Sequence, residues 1–367
     1  MKATLRWRSL DELDATDLQA WTELGARAEP HPNPFAMPQF VLPASRWLTQ
    51  SQPLRLAWIE QAAAATRQLI AVGVFTARHP SLFVPFPHLR EYRTPHTPRG
   101  GLLVAAGCTA AAVGALLDSL RKQSQWHALD LRNLPLRDGQ LDVARQIAES
   151  QGGGWFQRRT FARPILDIYA GGSAYVHVES RDRRRRRRRL GEKGVLEYRL
   201  LQGAQADGRA LADHLRLEHA GWKGEHGSSL QSSPAQAAFF REMIAGFVGI
   251  GAAAFMETRL DDQVIASSSN LLLGDTLNGI KIGWDPAFAT FSPGRINETE
   301  LHKLLPERLP QVMTYDSQSQ ERSYLADMLP QRMEMATGTL ALSRGAARAM
   351  RAARWLRPLA WRLQRDD

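Results

Sequence analysis

The stretch AAFMETRL-DDQ-VIASSSNLLL-GD-TLNGIKIGW, Ala253–Trp284, contains three apolar or small-residue runs that are separated by short polar turns. Runs of this length, interrupted by a polar trio such as Asp261-Asp262-Gln263, are typical of β-strands joined by tight turns. The stretch therefore predicts three consecutive strands, Ala253–Leu260, Val264–Leu273 and Thr276–Trp284, in one sheet.

A loop and a helix follow the third strand. Leu301, Leu304 and Leu305 recur at helical spacing, Ser292 suits the N-cap, and Pro293 suits the first helical position. Gly294 permits a close approach of the backbone, and the start of a helix offers unpaired N–H groups at a positive dipole end. This order predicts an anion site, most naturally for a pyrophosphate. The alternative is an ordinary capped helix that joins two strands.

Several short motifs around this stretch occur in a fixed order. They are Leu217–Gly227 (LEHAGWKGEHG), Phe239-Phe240, Lys281–Asp285 (KIGWD), Ser292–Gly294 (SPG) and Tyr315–Ser317 (YDS). In order and spacing they resemble the GNAT-type acyltransferases of the cellulose-biosynthesis-protein-like group, which are similar to the two-lobed Fem-type peptidyl transferases. The resemblance covers residues 165–335 and, more loosely, residues 30–135.

The resemblance implies a fold of the α/β (α+β) class, with tandem GNAT-like lobes whose mixed, mainly antiparallel sheets are flanked by helices. It implies transfer of an acyl group, foremost acetyl, from acetyl-CoA or another acyl-CoA to an amine of a small molecule, sugar or peptide, by direct attack and without a metal. Carried over by motif, the cofactor-binding residues are Ser292, Gly294, Arg295, Ile282 and Gly283. The chain lacks the family's usual Gln/Arg-x-x-Gly-x-Gly motif. This departure weakens the assignment of the cofactor more than that of the fold.

Three residues are candidates for proton transfer. A base must take the proton of the attacking amine, and Glu257 and Asp285 lie in or next to the relevant strands. Tyr324 lies where many GNAT relatives place the acid that protonates the leaving group. Many relatives have Tyr-Lys at this point, whereas this chain has Tyr324-Leu325. A structural role is the alternative for each of the three.

Four further residues are candidates for binding the substrate: His219, Trp222, Lys223 and Lys281. A tryptophan and a lysine between glycines suit a loop that closes over an anionic ligand. The alternative is the C-terminal end of a helix with Trp222 packed beneath it. Lys281 lies in a strand that is expected to be half-buried, which favours a specific partner.

The two halves of the chain have the same predicted order of elements, at an offset of about 190 residues. This repetition predicts a degenerate internal duplication. Two unrelated α/β units are the alternative. We predict an N-terminal GNAT-like lobe at 1–155, a C-terminal acyltransferase lobe at 160–340 and a basic amphipathic helix at 343–367.

Composition narrows the class of protein. A chain of 367 residues is long enough for two domains, and its single cysteine, Cys108, excludes an internal disulfide and a cysteine-based metal site. It contains neither an apolar run long enough to span a membrane nor the apolar core of a signal peptide. The expected location is the cytoplasm.

The net charge of +10 comes from two segments. The first segment contains eight arginines, Arg181 and Arg183–Arg189, and one acidic residue, Asp182. The second, Ser343–Asp367, contains seven arginines and two aspartates. The first segment predicts a solvated helix, or one that attracts carrier phosphates, anionic lipid or RNA. The second predicts an amphipathic helix that either meets an anionic membrane surface, placing the protein peripherally on the inner face, or packs on its own domain.

Two other functions remain open at this point. A Fem-type transferase would take its acyl group from aminoacyl-tRNA, although no aromatic residues interleave with the arginine run as they do in many single-strand RNA binders. A non-catalytic, membrane-associated accessory protein of polysaccharide or lipid assembly would use the C-terminal helix and no donor.

Overall fold

The computed structural model of the protein describes residues 2–28, 31–49, 53–63, 66–170 and 179–363, without the side chains of Ala63, Trp222, Lys223 and residues 355–363. The chain divides into two compact units. Unit one comprises Met1–Pro38, Gln50–Ala162 and Met333–Asp367, and unit two comprises Gln39–Thr49 and Arg163–Arg332. Each lobe predicted at 1–155 and 160–340 is one continuous stretch of chain, whereas each unit is made of separate stretches. The lobe boundaries stay a prediction.

Unit one is built around a mixed sheet. Its strands are β1 (Ala3–Arg8), β2 (Arg55–Ala63), β3 (Thr66–Arg78), β4 (His88–Glu91), β5 (Leu103–Val104), β6 (Ala128–Pro135), the first part of β7 (Gly154–Asp167) and most of β13 (Gln331–Ala341). They lie in the order β1-β2-β3-β4-β6-β13-β7, with β5 paired to β3. Pairing is antiparallel between β1, β2, β3 and β4, and parallel between β4 and β6. Its helices are α1 (Ala15–Arg27), α3 (Thr109–Lys122), α4 (Gln140–Ser150) and α10 (Arg344–Leu363).

Unit two repeats this plan. Its strands are the end of β7, β8 (Leu196–Gln202), β9 (Ala253–Leu260), β10 (Gln263–Leu273), β11 (Thr276–Trp284) and β12 (Thr314–Asp316), in the order β7-β12-β11-β10-β9-β8. All neighbours pair antiparallel except β11 and β12, which are parallel. The helices are α2 (Pro38–Trp47), α5 (Arg181–Gly191), α6 (Gly208–Ala220), α7 (Trp222–Glu225), α8 (Pro234–Gly249) and α9 (Pro293–Arg308).

The element order supports the predicted duplication. In each unit a first strand and helix precede three antiparallel strands, a helix and a parallel strand. The first strands begin at Ala3 and Leu196, and the helices before the parallel strands begin at Thr109 and Pro293, so the offset stays close to the predicted value. The predicted fold class is confirmed: mixed, mainly antiparallel sheets are flanked by helices.

The three strands predicted from Ala253 to Trp284 are confirmed. Helix α9 begins at Pro293 as predicted, and a 3₁₀ turn, Pro286–Phe291, precedes it. Ser292 occupies the N-cap with a left-handed φ of 55° and makes no side-chain capping bond. The reason is that Ser292 also ends the 3₁₀ turn, where its N–H donates to the carbonyl of Ala289.

Helix α10 begins inside the predicted C-terminal segment and packs on unit one. Ala346, Ala347 and Met350 join a cluster with Val84 and Phe86. The first three turns therefore use their apolar side within the unit. Side chains from residue 355 onward lie outside the description, so the membrane-facing helix stays a prediction. Among the described residues, no helix combines the length and apolar content needed to cross a membrane.

Gly283 permits the close packing of α6 on β11. A Cβ built on Gly283 would lie 2.3 Å from the backbone nitrogen of Glu218 and 2.5 Å from the carbonyl carbon of Leu217. Backbone atoms at the centre of a packed unit cannot move aside cheaply. Any side chain at this position must push α6 away from the sheet.

We expect Gly283→Ala to lower the free energy of unfolding by about 3 kcal/mol, because the new methyl group overlaps helix backbone. Gly249→Ala is the matched control, since nothing lies within 4 Å of its built Cβ at the exposed end of α8. Urea unfolding of both variants measures the effect. Equal stability of the two variants would contradict the close contact.

Candidate active site

The site begins where β11 and β12 separate. The two parallel strands pair only over Thr276–Asn278 and Thr314–Asp316. Strand β11 continues to Trp284, whereas β12 ends at Asp316. Beyond Asn278, the edge of β11 that faces β12 therefore has no strand partner among the described residues. An opening in the sheet results, with backbone polar groups along one side.

A cleft of 250 Å³ occupies this opening. Its lining includes Lys281 and Ile282 from β11, Asn270 from β10 and Tyr324 from a 3₁₀ turn at Tyr324–Asp327. Three of the predicted site residues, Lys281, Ile282 and Tyr324, thus lie at one cleft.

The floor of the cleft is polar and buried. Glu298 of α9 is 2% exposed, and its carboxylate accepts a hydrogen bond of 2.7 Å from the Tyr315 hydroxyl. Burial raises the pKa of the Glu298 carboxyl, while the bonds from Tyr315 and Ser268 act to lower it. Asn297 donates to the Ser268 hydroxyl at 3.0 Å, which ties α9 to β10. A buried carboxyl group with a raised pKa therefore lies at the base of the opening.

Asn270, which lines this cleft, contains an unsatisfied acceptor. Its Nδ2 donates to the backbone oxygen of Ser268, but its Oδ1, which is fully buried, accepts no hydrogen bond from the described residues. Leaving a buried amide oxygen unpaired costs about 1 to 3 kcal/mol. A ligand with an N–H group in the cleft would satisfy it.

Tyr324 and Arg295 connect this cleft to a second cavity. The guanidinium carbon of Arg295 lies 5.4 Å from the centre of the Tyr324 ring. Burial, and then the negative charge of Glu298, raise the pKa of the Tyr324 hydroxyl well above its usual range. Tyr324 therefore keeps its proton at neutral pH and can donate it.

The second cavity, of 440 Å³, lies at the N-terminal end of α9. Arg183, Arg186 and Arg295 line it, together with Asp182 and Ser292. Arg186 is held by Asp182 at 2.8 Å and by the carbonyl of Thr290 at 2.9 Å. Arg183 has a buried Nε that donates to no described group.

The balance of charge at this cavity favours an anion. Arg295 has one weak ion pair, at 3.9 Å, with Asp327, so three guanidinium groups meet two carboxylates. Pro293 has no N–H, and the N–H of Arg295 donates to the carbonyl of Ser292 at 3.0 Å, so the free donor at the start of α9 is the N–H of Gly294. This donor, the positive end of the helix dipole and the guanidinium groups suit an anion, and the anion site stays a prediction.

One side of α5 packs against the rest of unit two, and the other side is exposed. Arg183, Arg186, Arg187 and Leu190 are the less exposed positions, at helical spacing. Arg187 makes a two-pronged ion pair with Glu179 at 3.1 and 3.3 Å. The outward positions form a basic surface: Arg181, Arg184, Arg185, Arg188 and Arg189. The arginine run is therefore partly solvated, as predicted, and partly a wall of the anion cavity.

Several predicted site residues lie elsewhere. Glu257 pairs in register with Ser267, whose hydroxyl bonds His214 of α6, so Glu257 lies on the sheet face opposite α9, where it pairs with Arg259 at 3.2 Å. Asp285 caps the 3₁₀ turn by accepting from the Ala287 N–H. The structure does not bring Glu257 or Asp285 into the cleft.

The glycines and the α6–α7 residues have other surroundings. Gly294 packs on the strand: a Cβ there would lie 3.0 Å from the Trp284 ring, so glycine serves the packing of α9 on β11. His219 bonds the Ser229 hydroxyl at 2.8 Å. Trp222 and Lys223 begin α7, but their side chains lie outside the description, so their proposed role is untested by it.

Unit one has a corresponding strand pair without a corresponding cleft. Strands β4 and β6 are parallel at Leu89 and Leu129, but Gln140 bonds both the N–H and the C=O of Leu102 beside them. Two cavities in unit one, both lined by Glu91 and Leu102, have volumes of only 30 and 20 Å³, about the space of one water molecule each. Of the two parallel strand pairs, only β11 and β12 of unit two border a cleft with room for an extended ligand among the described residues.

Glu298, Asn270 and the inner arginines were not predicted as site residues. The sequence does carry a signal for the first two, because polar residues interrupt positions that should be apolar: Ser267–Asn270 within a buried strand and Asn297–Glu300 within a packed helix. For Arg183 and Arg186, only Leu190, four residues after Arg186, indicates which side of α5 faces inward.

Residues 179–316 match the acetyltransferase (GNAT) domain family. The matched segment lies within unit two. The match runs from the start of the arginine helix to the end of β12, and so includes both cavities' principal walls. The protein therefore has a transferase domain; the finer assignment to the cellulose-biosynthesis-protein-like group stays a prediction.

Solved structures share the fold over most of the chain. FemX is 12% identical with a TM-score of 0.54, covering 94% of this chain and 97% of that chain. A conserved protein of unknown function from Bacteroides thetaiotaomicron VPI-5482 is 10% identical with a TM-score of 0.56, covering 93% and 100%. L-PGS from Bacillus licheniformis is 11% identical with a TM-score of 0.50, covering 89% and 91%. No protein of curated function matches the sequence.

The raised pKa of Glu298 predicts a pH dependence of stability. Since the folded-state pKa exceeds the unfolded value, the stabilisation by protonated Glu298 is complete below the unfolded pKa and is lost as pH rises through the folded pKa. The unfolding free energy of the unmodified protein minus that of Glu298→Gln should fall over this window, by at most about 1.4 kcal/mol per pH unit.

Urea unfolding from pH 4 upward measures this difference. Glu307→Gln removes an exposed carboxylate from the same helix and is the control. A difference for Glu298→Gln that stays constant with pH would show that the surroundings do not raise the pKa of this carboxyl group.

Proposed function

We propose that the protein transfers an acyl group, foremost acetyl, from an acyl-CoA thioester to an amine of a small molecule, sugar or peptide. The observation that carries this proposal is the opening between β11 and β12, which leads from a buried carboxyl group to an anion cavity at the N-terminal end of α9. An elongated donor with a thioester at one end and phosphates at the other requires both features.

The donor phosphates bind at the second cavity. The N–H group of Gly294 and the side chains of Ser292 and Arg295 meet the pyrophosphate, and the unpaired Nε of Arg183 adds a charged donor from α5. Gly294 and Gly283 contribute by letting the elements pack closely, so that β11 and α9 hold their positions. Ile282 forms an apolar wall for the arm that carries the thioester.

The thioester lies in the cleft beside β11. Backbone N–H groups of β11 beyond Asn278 face the opening and stabilise the negative charge that develops on the carbonyl oxygen. The free Oδ1 of Asn270 accepts from an N–H group of the donor arm or of the attacking amine. Lys281 and the residues of the α6–α7 turn, His219, Trp222 and Lys223, are assigned to the acceptor.

The reaction needs two proton movements. The amine nitrogen attacks the carbonyl carbon, the C–N bond forms, and the C–S bond breaks with its electron pair moving to sulfur. Glu298 takes the proton that the nitrogen loses, and the Tyr324 hydroxyl supplies the proton that the thiolate gains. Glu257 and Asp285 keep the structural bonds described above, and no metal takes part in this scheme.

An aminoacyl-tRNA donor is the second candidate. The observation that favours it is the outward face of α5, where five arginines are exposed next to the anion cavity. A nucleic acid would need such a surface because it carries a phosphate at every nucleotide. The resemblance to Fem-type transferases points to the same donor. Binding to an anionic membrane surface through α10 stays a separate proposal, which liposome binding with and without residues 343–367 would test.

Calorimetric titration of acetyl-CoA tests the proposed donor site. We expect binding by the unmodified protein and a loss of affinity of about tenfold or more for Arg295→Ala, because a charged bond to phosphate is removed. Arg308→Ala is the matched control, since it removes an exposed arginine from the far end of the same helix. Gly294→Glu is unsuitable because any side chain there meets Trp284.

Two results would count against the acyl-CoA donor. One is the absence of acetyl-CoA binding, and the other is equal affinity of Arg295→Ala and Arg308→Ala. Salt-sensitive binding of aminoacyl-tRNA that is weakened by replacing Arg185 and Arg189 with glutamine, together with no binding of acetyl-CoA, would establish the alternative donor.

A further inference from the structure

Unit one contains a cluster of arginines around a single carboxylate. Asp130 is fully buried and accepts from Arg90 at 2.7 Å, from Arg132 at 3.3 Å and from Arg158. Arg78 lies nearby: burial, and then the positive charge of Arg90, lower the pKa of Arg78. Three guanidinium groups thus pair with one carboxylate and a fourth lies near them, so the cluster carries a clear excess of positive charge.

Glu91, which is next to Arg90 in β4, does not neutralise the cluster. Glu91 follows Arg90 in β4, so its side chain lies on the opposite face of the sheet, where it borders the small cavity beneath α3. It accepts from the backbone N–H groups of Gly101 and Arg132. Burial raises the pKa of Glu91 to about 7, so it is only partly charged at neutral pH. The excess positive charge remains on the Asp130 face.

A cavity of 310 Å³ adjoins the cluster. Arg158, which pairs with Asp130, is also part of the cavity lining, and Arg354 of α10 adds a second guanidinium group. Phe83, Phe156 and Met350 form an apolar wall. Charged and apolar groups therefore line separate parts of one cavity, whose size lies near the lower limit for small-molecule sites, about 300 Å³.

The loop at the cavity exposes apolar side chains to water. Phe83 is 50% exposed and its neighbour Leu82 is 59% exposed. Two adjacent large apolar side chains at the mouth of a cavity mark a surface that gains stability when an apolar ligand covers it. A purely polar anion would leave this apolar surface uncovered, and a neutral apolar ligand would leave the guanidinium groups without a counter-charge.

We propose that this cavity binds an anionic amphiphile. Its phosphate or carboxylate group pairs with Arg158 and Arg354, and its apolar chain packs against Phe83, Phe156 and Met350. The site belongs to unit one and does not depend on the donor proposed for unit two. Its ligand is either a lipid presented by a bilayer or a soluble amphiphile with the same two chemical parts.

Titration of the full-length protein with octyl phosphate, below the concentration at which it forms micelles, tests the site. We expect octyl phosphate to bind at least about tenfold more tightly than inorganic phosphate, because each buried methylene group strengthens binding several-fold. Octyl glucoside, which has the same chain and no charge, should not bind. Absent binding of octyl phosphate, or equal binding of octyl glucoside, would overturn the proposal.

Variants locate the binding. Arg354→Ala should weaken octyl phosphate binding about tenfold, as expected for one lost charged contact. Arg351→Ala, which removes an exposed arginine from the same helix outside the cavity lining, should not. Phe83→Ala should weaken octyl phosphate and leave inorganic phosphate unaffected. Unchanged melting temperatures show that each variant is folded, and equal losses for Arg351→Ala and Arg354→Ala would refute the site.

Phosphatidylglycerol vesicles distinguish the two sources of ligand. If a bilayer lipid occupies the site, vesicles displace octyl phosphate from the unmodified protein and displace less from Phe83→Ala. If vesicles leave octyl phosphate in place, the soluble amphiphile is the supported form.

Discussion

The brief parallel pairing of β11 with β12 is the feature on which the candidate site depends. Three residue pairs hold the strands together, and the separation that follows exposes the edge of β11 without unravelling the sheet, because β10 pairs along almost all of β11. A buried strand edge needs hydrogen-bond partners. In unit two, the space beside this edge leads to polar side chains and an anion cavity, so a ligand can supply what a neighbouring strand would have supplied.

The polar floor beneath this opening is costly to maintain. Glu298, Asn297 and Asn270 are buried in positions where apolar side chains would stabilise the unit more simply. Hydrogen bonds to Tyr315 and Ser268 offset part of the desolvation, yet the pKa of Glu298 stays raised and the Oδ1 of Asn270 stays unpaired. Retaining such groups in a packed interior is typical of sites that perform proton transfer.

The sequence predicts the fold of unit two well because its signals are local. Strand lengths follow apolar runs between turns, and the start of α9 follows from Pro293. Such local signals cannot predict which segments join each unit, since β13 pairs with β6, which lies 200 residues or more earlier in the chain. The opposite faces of Glu257 and Glu298 depend on the register of β9 with β10, and the inward side of α5 is obscured because a run of identical residues has no periodicity.

The most direct test of the account is a crystal structure of the protein with bound CoA. We expect the pyrophosphate within hydrogen-bond distance of the Gly294 N–H and the Arg295 side chain, and the thiol end between β11 and Tyr324. CoA bound elsewhere, with an ordered side chain or solvent filling the opening beyond Asn278, would contradict the assignment of this cleft as the site of acyl transfer.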